Sequence, residues 1–146
     1  MSNQEWFEKA IGIPAESRSV KVGDANINYS IWEKESKPFL FFIHGYSAHA
    51  HWWDFIAPNF LDSFNVIAID LSGMGDSDHR SVYSQDTYSD EIQAVCSKEG
   101  IKPAIFLAHS MGGSIAVNAA ARNPNLFKSL ILIDSIVVVP PDKIKD

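Results

Sequence analysis

Four short runs of consecutive apolar residues are spaced along the chain, at residues 39–43, 66–69, 104–107 and 130–133. Unbroken apolar character, in place of alternation, is typical of central strands that are covered on both faces of a parallel sheet. Segments with helical spacing lie between the runs. Strands that alternate with helices in this way predict an α/β fold with crossover connections, whose active sites gather at the carboxyl ends of the strands.

Local signals place the helices and one hairpin. Residues 19–32 alternate in polarity around a Gly-Asp turn, which predicts an antiparallel hairpin. We predict one helix that begins at Thr87 as its capping residue and ends at Gly100. A second helix follows Ser110 and ends at Asn123, because the residue before a proline is pushed out of helical geometry. Residues 1–18 are predicted to be an N-terminal extension, and residues 19–146 to belong to one domain.

Composition limits the classes of function. With 146 residues, of which 46% are hydrophobic, the chain has the size and the core material of one ordinary domain. The net charge of −6 argues against nucleic acid or an anionic membrane as a partner, because no local basic patch offsets it. The apolar runs are too short to span a bilayer, and residues 1–5 lack the pattern of a secretory signal. The single cysteine, Cys96, is predicted to be a small buried side chain. These features lead us to expect a cytoplasmic protein.

The third apolar run leads directly into His109-Ser110-Met111-Gly112-Gly113. With Ala108 before it, this is a small-x-Ser-x-Gly pattern at a strand-to-helix turn, where small neighbours allow a strained backbone that exposes the serine hydroxyl. Ser110 is therefore a candidate nucleophile. The alternative is a serine that only caps the following helix.

Four features in sequence order extend this pattern, and together they cover residues 20–135. They are His44-Gly45 after the first central strand, Trp52-Trp53 at the start of a predicted helix, Asp70-x-x-Gly73-x-Gly75-x-Ser77 after the next strand, and Ser110. In these features the chain resembles the α/β-hydrolase superfamily, specifically its branch of esterases, C–C hydrolases and dehalogenase-like proteins. The resemblance implies a mostly parallel sheet with an N-terminal antiparallel hairpin, here truncated after the sixth strand, so that residues 19–146 form the N-terminal portion of such a domain.

The resemblance also implies roles for individual residues. Ser110 would attack a carbonyl carbon, and the backbone N–H groups of Met111 and Tyr46 would form the oxyanion hole. His44 is interpreted as a structural residue that holds its loop. Members of the superfamily that displace halide or open epoxides use a carboxylate at the elbow, so a serine favours acyl chemistry on a small carboxylic ester. A thioester, a lactone or a carbon–carbon bond beside a ketone remains an alternative substrate.

The catalytic base is the missing part of this pattern. The family order is serine, acid and then histidine, yet no histidine follows Ser110. Asp134 is the one candidate acid, although an aspartate at the end of a strand is also a common turn former. We expect the chain to be the nucleophile-bearing part of a hydrolase, with residues 136–141 at the start of a cap connection. Its open sheet edge would then favour a homodimer or a complementing chain. The alternative is a non-catalytic remnant that acts by binding.

Two further patterns resemble a metal-binding motif and a cofactor-binding motif, but neither motif is complete. His49-Ala50-His51 with Asp54 does not complete a two-metal hydrolase motif, so we predict no metal. Gly73-Met74-Gly75 lacks the third glycine of a dinucleotide fingerprint, and we predict no cofactor. Three aromatic residues that follow His51 would line an acyl pocket or, alternatively, belong to the core: Trp52, Trp53 and Phe55.

Overall fold

The computed structural model describes residues 2–34 and 36–137. The strands are β1 (Glu16–Val22), β2 (Ala25–Trp32), β3 (Phe39–Ile43), β4 (Asn65–Ile69), β5 (Ala104–His109) and β6 (Phe127–Ile133). The α-helices are α1 (Asn3–Ile11), α2 (Gln85–Lys98) and α3 (Met111–Arg122), and short 3₁₀ turns occupy Ala50–Trp53, Ala57–Phe60 and Pro124–Leu126. In the part of the chain that is described, no helix is both long enough and apolar enough to traverse a lipid bilayer.

The strands form one sheet in the order β1-β2-β4-β3-β5-β6. β1 and β2 form the predicted antiparallel hairpin, although it begins at Glu16, within the predicted N-terminal extension of residues 1–18. The hairpin joins the sheet through antiparallel pairing of β2 with β4. β4, β3, β5 and β6 are parallel to one another. Ile43 lies opposite both Ile69 and Ala108, so the carboxyl ends of three neighbouring strands meet at one edge. The predicted α/β fold class is confirmed.

Both faces of the central strands are buried. Phe41 and Ile43 point into a core beneath α2 and α3, whereas Leu40 and Phe42 point into a second core beneath the 3₁₀ turns, because successive residues of a strand face opposite sides. This two-sided burial explains the unbroken apolar run. Cys96 is 1% exposed in the first core, and burial raises the pKa of its thiol to about 12, which confirms it as a buried apolar residue.

The prediction that a helix opens at Trp52-Trp53 is wrong. The segment forms only a 3₁₀ turn, and Pro58 lacks the N–H that a longer helix would need there. The two tryptophans also differ in burial. Trp53 is buried against Phe42, with ring centroids 4.8 Å apart, whereas Trp52 remains 44% exposed.

The predicted start of α2 is also wrong, and its predicted end is right. Ser84 is the capping residue, because its hydroxyl accepts the Thr87 N–H at 3.0 Å. Thr87 thus lies inside the first turn instead of preceding it. The helix ends at Lys98, and Gly100, at φ +60°, turns the chain away.

β6 differs from the central strand that its apolar run predicts. Within the described residues it pairs only with β5, and Ile131, Leu132 and Ile133 are each more than 40% exposed. Burial on both faces was inferred from apolar character alone, which carries no information on what covers a strand. The predicted cap connection begins with the exposed Ile136 and Val137, and its remaining residues, 138–141, lie outside the described part.

Candidate active site

Ser110 occupies the turn between β5 and α3. Its backbone lies at φ +52° and ψ −121°, a conformation that L-residues rarely adopt. Its N–H donates to the Ile133 carbonyl at 3.0 Å, which ties the turn to β6. A capping serine has an extended backbone and accepts a hydrogen bond from the first turn of its helix. Ser110 has neither feature, so it is not an ordinary helix cap.

Two close backbone approaches surround this turn. A Cβ on Gly112 would lie 2.3 Å from the His44 carbonyl oxygen, so only glycine lets α3 approach β3 this closely. A Cβ on Gly45 would lie 3.1 Å from the Ser110 Cβ. The His44-Gly45 loop and the Ser110 turn, separated by more than sixty residues of sequence, are therefore in contact, as the pattern of strand ends predicts.

His44 is a structural residue, as predicted. It is fully buried, its Nε2 accepts the Leu71 N–H at 3.1 Å, and its Nδ1 donates to the Gly45 carbonyl at 2.7 Å. Burial lowers the pKa of the imidazole. Both ring nitrogens are engaged in holding two loops, which leaves neither free to accept a proton from a substrate or from Ser110.

Asp70 joins the loops that follow β3 and β4. Its buried carboxylate accepts the Ala50 N–H at 2.5 Å and the Asp76 N–H at 3.0 Å, and its carbonyl accepts the Ser77 hydroxyl at 2.6 Å. The sequence motif predicts a loop here but not this role. The sequence signal that could have indicated this role is a carboxylate directly after a buried strand, followed by a serine seven residues later.

The two oxyanion candidates lie on either side of the contact between the loops. Met111 is the first residue of α3, a position whose N–H has no intrahelical acceptor. Tyr46 begins a turn that the Ala48 N–H closes on the Gly45 carbonyl at 3.3 Å, and its side chain is 76% exposed. Within the described residues neither N–H has a backbone acceptor.

The histidines other than His44 are not directed at Ser110 by any contact of the described residues. The His109 ring packs edge-on against Trp52, with centroids 5.0 Å apart, and its buried Nδ1 has no partner. His51 bonds to Asp54 at 2.9 Å, which raises the pKa of the imidazole. No group of three or more potential metal-ligating His, Cys, Asp or Glu side chains occurs in the part of the chain that is described.

Asp134 directly follows Ile133, whose carbonyl accepts the hydrogen bond from the Ser110 N–H. It is exposed, and its backbone lies at φ +46°. Its position at the carboxyl end of β6 puts it at the same sheet edge as the serine. The role of acid remains a prediction.

Comparison with known proteins agrees with this geometry. A family model described as the alpha/beta hydrolase fold matches residues 38–145. The chain belongs to the alpha/beta hydrolase family. Epoxide hydrolase 1 of Caenorhabditis elegans is 33% identical over 80% of this chain and 30% of that protein. The bifunctional esterase/perhydrolase DCH of Acinetobacter calcoaceticus is 32% identical over 82% of this chain and 44% of that protein.

Solved structures show the same fold. A bacterial membrane phospholipase A, described as a virulence factor, is 31% identical with a TM-score of 0.81, over 92% of this chain and 44% of that one. This alpha/beta hydrolase chain therefore spans less than half the length of each of these three relatives.

Proposed function

We propose that the protein is a serine hydrolase that cleaves carboxylic esters through an acyl-enzyme intermediate, with Ser110 as the nucleophile. The strained, uncapped turn at Ser110 carries the proposal, because backbone strain of this kind concentrates at functional sites. An elbow serine favours acyl transfer over epoxide opening. The similarity to a bifunctional esterase/perhydrolase supports the same reaction class.

The proposed chemistry has two steps. The Ser110 hydroxyl oxygen forms a bond to the ester carbonyl carbon, its proton passes to a general base, and the carbonyl π electrons move onto oxygen. The N–H groups of Met111 and Tyr46 stabilise that oxyanion, each by about 3 kcal/mol in comparable sites. The intermediate collapses, the bond to the alcohol oxygen breaks and the alcohol leaves with the proton. Water then hydrolyses the acyl-serine by the same sequence.

The general base is proposed to come from outside these 146 residues. No histidine follows Ser110, and His44 is committed to two loops. β6 is the proposed docking edge for the chain that carries the base, because the Ser110 N–H bonds to Ile133 and links the serine to that strand. A parallel strand added beside β6 would bring the loop at its own carboxyl end to the same edge as Ser110. We also propose the cytoplasm as the compartment, because a chain with the single cysteine Cys96 contains no disulfide pair that would need an oxidising environment.

A fluorophosphonate probe followed by peptide mapping tests the nucleophile, with the chain mixed with a separately produced C-terminal half of a homologous hydrolase that supplies the base. We expect the labelled peptide to contain Ser110 and the label to disappear in Ser110→Ala. Ser114→Ala is the matched control, since it removes a serine hydroxyl one turn later in α3. Absence of label in protein that is folded by circular dichroism contradicts the proposal and favours a non-catalytic binding role.

The source of the base is tested by measuring turnover of p-nitrophenyl acetate. The measurement is made with and without a separately produced C-terminal half of a homologous hydrolase. We expect the added half to raise turnover that depends on Ser110. Equal Ser110-dependent turnover in its absence would contradict an external base.

A further inference from the structure

A cavity of about 360 Å³ lies beside the candidate active site and is not used by the chemistry above. We name it the tyrosine cavity. Its wall is formed by Tyr46, Ser72, Met74, His79, Tyr83 and Tyr88. Tyr46 lines the cavity and belongs to the loop whose Gly45 approaches Ser110, so the cavity borders the candidate oxyanion hole. Its volume is sufficient for a phenyl ring with a short linker.

The cavity wall is aromatic and uncharged on most of its surface. Tyr83 and Tyr88 stack with centroids 6.2 Å apart and an angle of 26° between their planes. Gly73 lets the Tyr83 ring lie directly on the loop backbone, because a Cβ there would be 2.6 Å from the Tyr83 hydroxyl oxygen. Tyr46 and Tyr83 remain 76% and 42% exposed. Rigid aromatic faces left exposed in this way favour stacking with a planar ligand.

One polar group in the wall has no partner. Ser72 is fully buried and its backbone N–H donates to Glu91 at 3.0 Å, yet its hydroxyl has no hydrogen bond among the described residues. A buried hydroxyl without a partner destabilises the fold. Because the Ser72 hydroxyl oxygen is itself buried, it lies beneath the cavity surface and out of reach of a ligand in the cavity.

The other polar groups of the wall are already occupied or are neutral. The Tyr83 hydroxyl accepts the Arg80 N–H at 3.0 Å and contacts His79 Nδ1 at 3.2 Å. Burial raises the pKa of Tyr88, which keeps its phenol protonated at neutral pH. Among the described residues, the wall thus presents aromatic faces, phenol hydroxyls and the imidazole of His79, and no carboxylate, ammonium or guanidinium side chain lines it.

We propose that the tyrosine cavity is a specificity subsite that binds an uncharged aromatic ring of the substrate against the faces of Tyr46, Tyr83 and Tyr88. That the ring belongs to a substrate rests on the function proposed above, whereas the binding itself does not. Tyr46, Tyr83 and Tyr88 would then determine which esters are accepted.

Equilibrium binding to the Ser110→Ala protein tests the cavity without turnover. The probes are methyl 4-methoxyphenylacetate, methyl phenylacetate and methyl hexanoate, titrated by NMR. We expect the methoxyphenyl ester to bind at least tenfold more tightly than the hexanoate. Ser72→Ala, at a hydroxyl that the cavity does not expose, should leave all three affinities unchanged. Tyr88→Leu should abolish the advantage of both rings over hexanoate.

Trp6→Leu is the matched control, because it removes an exposed ring that packs on Phe55 and not in the cavity, and it should leave all three affinities unchanged. Equal affinity for ring and alkyl esters, or a Tyr88→Leu protein that keeps the preference for ring esters, overturns the proposal. Fluorophosphonate labelling of Ser110 without ring preference rejects the subsite alone. Ring preference in a protein that the probe does not label rejects the hydrolase and leaves the cavity as a binding site.

Discussion

Backbone strain in this protein is concentrated at one edge of the sheet. Within the described residues, the non-glycine positions with positive φ are Ser47, Ser110 and Asp134. They follow the carboxyl ends of β3, β5 and β6. Each such conformation costs about 1–3 kcal/mol and persists only where the surrounding structure imposes it. The surrounding constraints here are the bond from Ser110 to β6 and the close approach at Gly112.

The approach of α3 to β3 gives a prediction at Gly112. Gly112→Ala places a methyl group within 2.3 Å of the His44 carbonyl oxygen and 2.9 Å of the Ile43 side chain, so α3 must move. We expect a loss of about 1–3 kcal/mol in the free energy of unfolding, measured by urea denaturation. Gly12→Ala, at an ordinary φ of −72°, is the control and should change stability by less. Equal effects of the two substitutions would show that the contact at Gly112 is not limiting.

His44 gives a prediction of pH dependence. Burial lowers the pKa of the folded-state imidazole below the value of about 6.5 that it has in the unfolded chain. As pH falls through 6.5 the unfolded chain therefore binds more protons than the folded one, and the free energy of unfolding decreases until the folded-state pKa is passed. We expect His44→Gln to be less stable at pH 7.5 and to lose less stability than wild type on going to pH 5.

The comparison isolates His44, because the raised pKa of His51 acts in the opposite direction and is the same in both proteins. The exposed His79→Gln variant serves as the control. A His44→Gln protein whose stability falls with pH as steeply as wild type would contradict the assignment.

At the scale of elements, the capping residue of α2 is Ser84, three residues before the Thr87 that the sequence pattern predicted. Both Ser84 and Thr87 are acceptable capping residues, and only the path of the chain from the preceding loop decides between them. We expect Ser84→Ala to cost about 1 kcal/mol in thermal or urea unfolding, since the Thr87 N–H loses its acceptor. Thr87→Ala leaves that N–H bonded and should cost less. A larger loss of stability in Thr87→Ala than in Ser84→Ala would instead indicate that Thr87 is the capping residue.

At the scale of the whole molecule, a buried ion pair joins the hairpin, the loop after β4 and α2. Glu91 of α2 is fully buried and accepts from Arg80 Nε and from the Ser72 N–H, both at 3.0 Å. Arg80 also bonds to Asp24 at 2.9 Å and to the Val22 carbonyl at 2.8 Å in the hairpin. The pair therefore positions the loop that forms part of the tyrosine cavity.

Removing one partner of this pair should be more damaging than removing both. Arg80→Met leaves the Glu91 carboxylate buried without a counter-charge, and we expect a loss of about 3–5 kcal/mol in the free energy of unfolding. Arg80→Met combined with Glu91→Gln should recover part of it, whereas Asp24→Asn, at the exposed end, should cost less than 1 kcal/mol. Additive effects of the two core substitutions would contradict direct coupling.

The strands were the most predictable part of the molecule. Residues 39–43 form β3 with the predicted bounds, because a strand buried on both faces must be apolar throughout. The segment around Trp52 was the least predictable, since aromatic residues suit a helix or a turn, and the competing bond from the Ala50 N–H to Asp70 arises only in the folded chain. Likewise, an apolar run cannot reveal that β6 is exposed, because coverage depends on other segments.

The sequence by itself determined the class of fold, the turn at Ser110 and the loops that meet it. These follow from periodicity and from small residues, which act over a few positions of chain. Only the tertiary structure decided which two loops His44 holds, the exclusion of a capping role for Ser110 and the existence of the tyrosine cavity. Each of these depends on which groups from distant parts of the chain share a hydrogen bond or leave one unmade, and such pairings exist only once the sheet has brought the loops together.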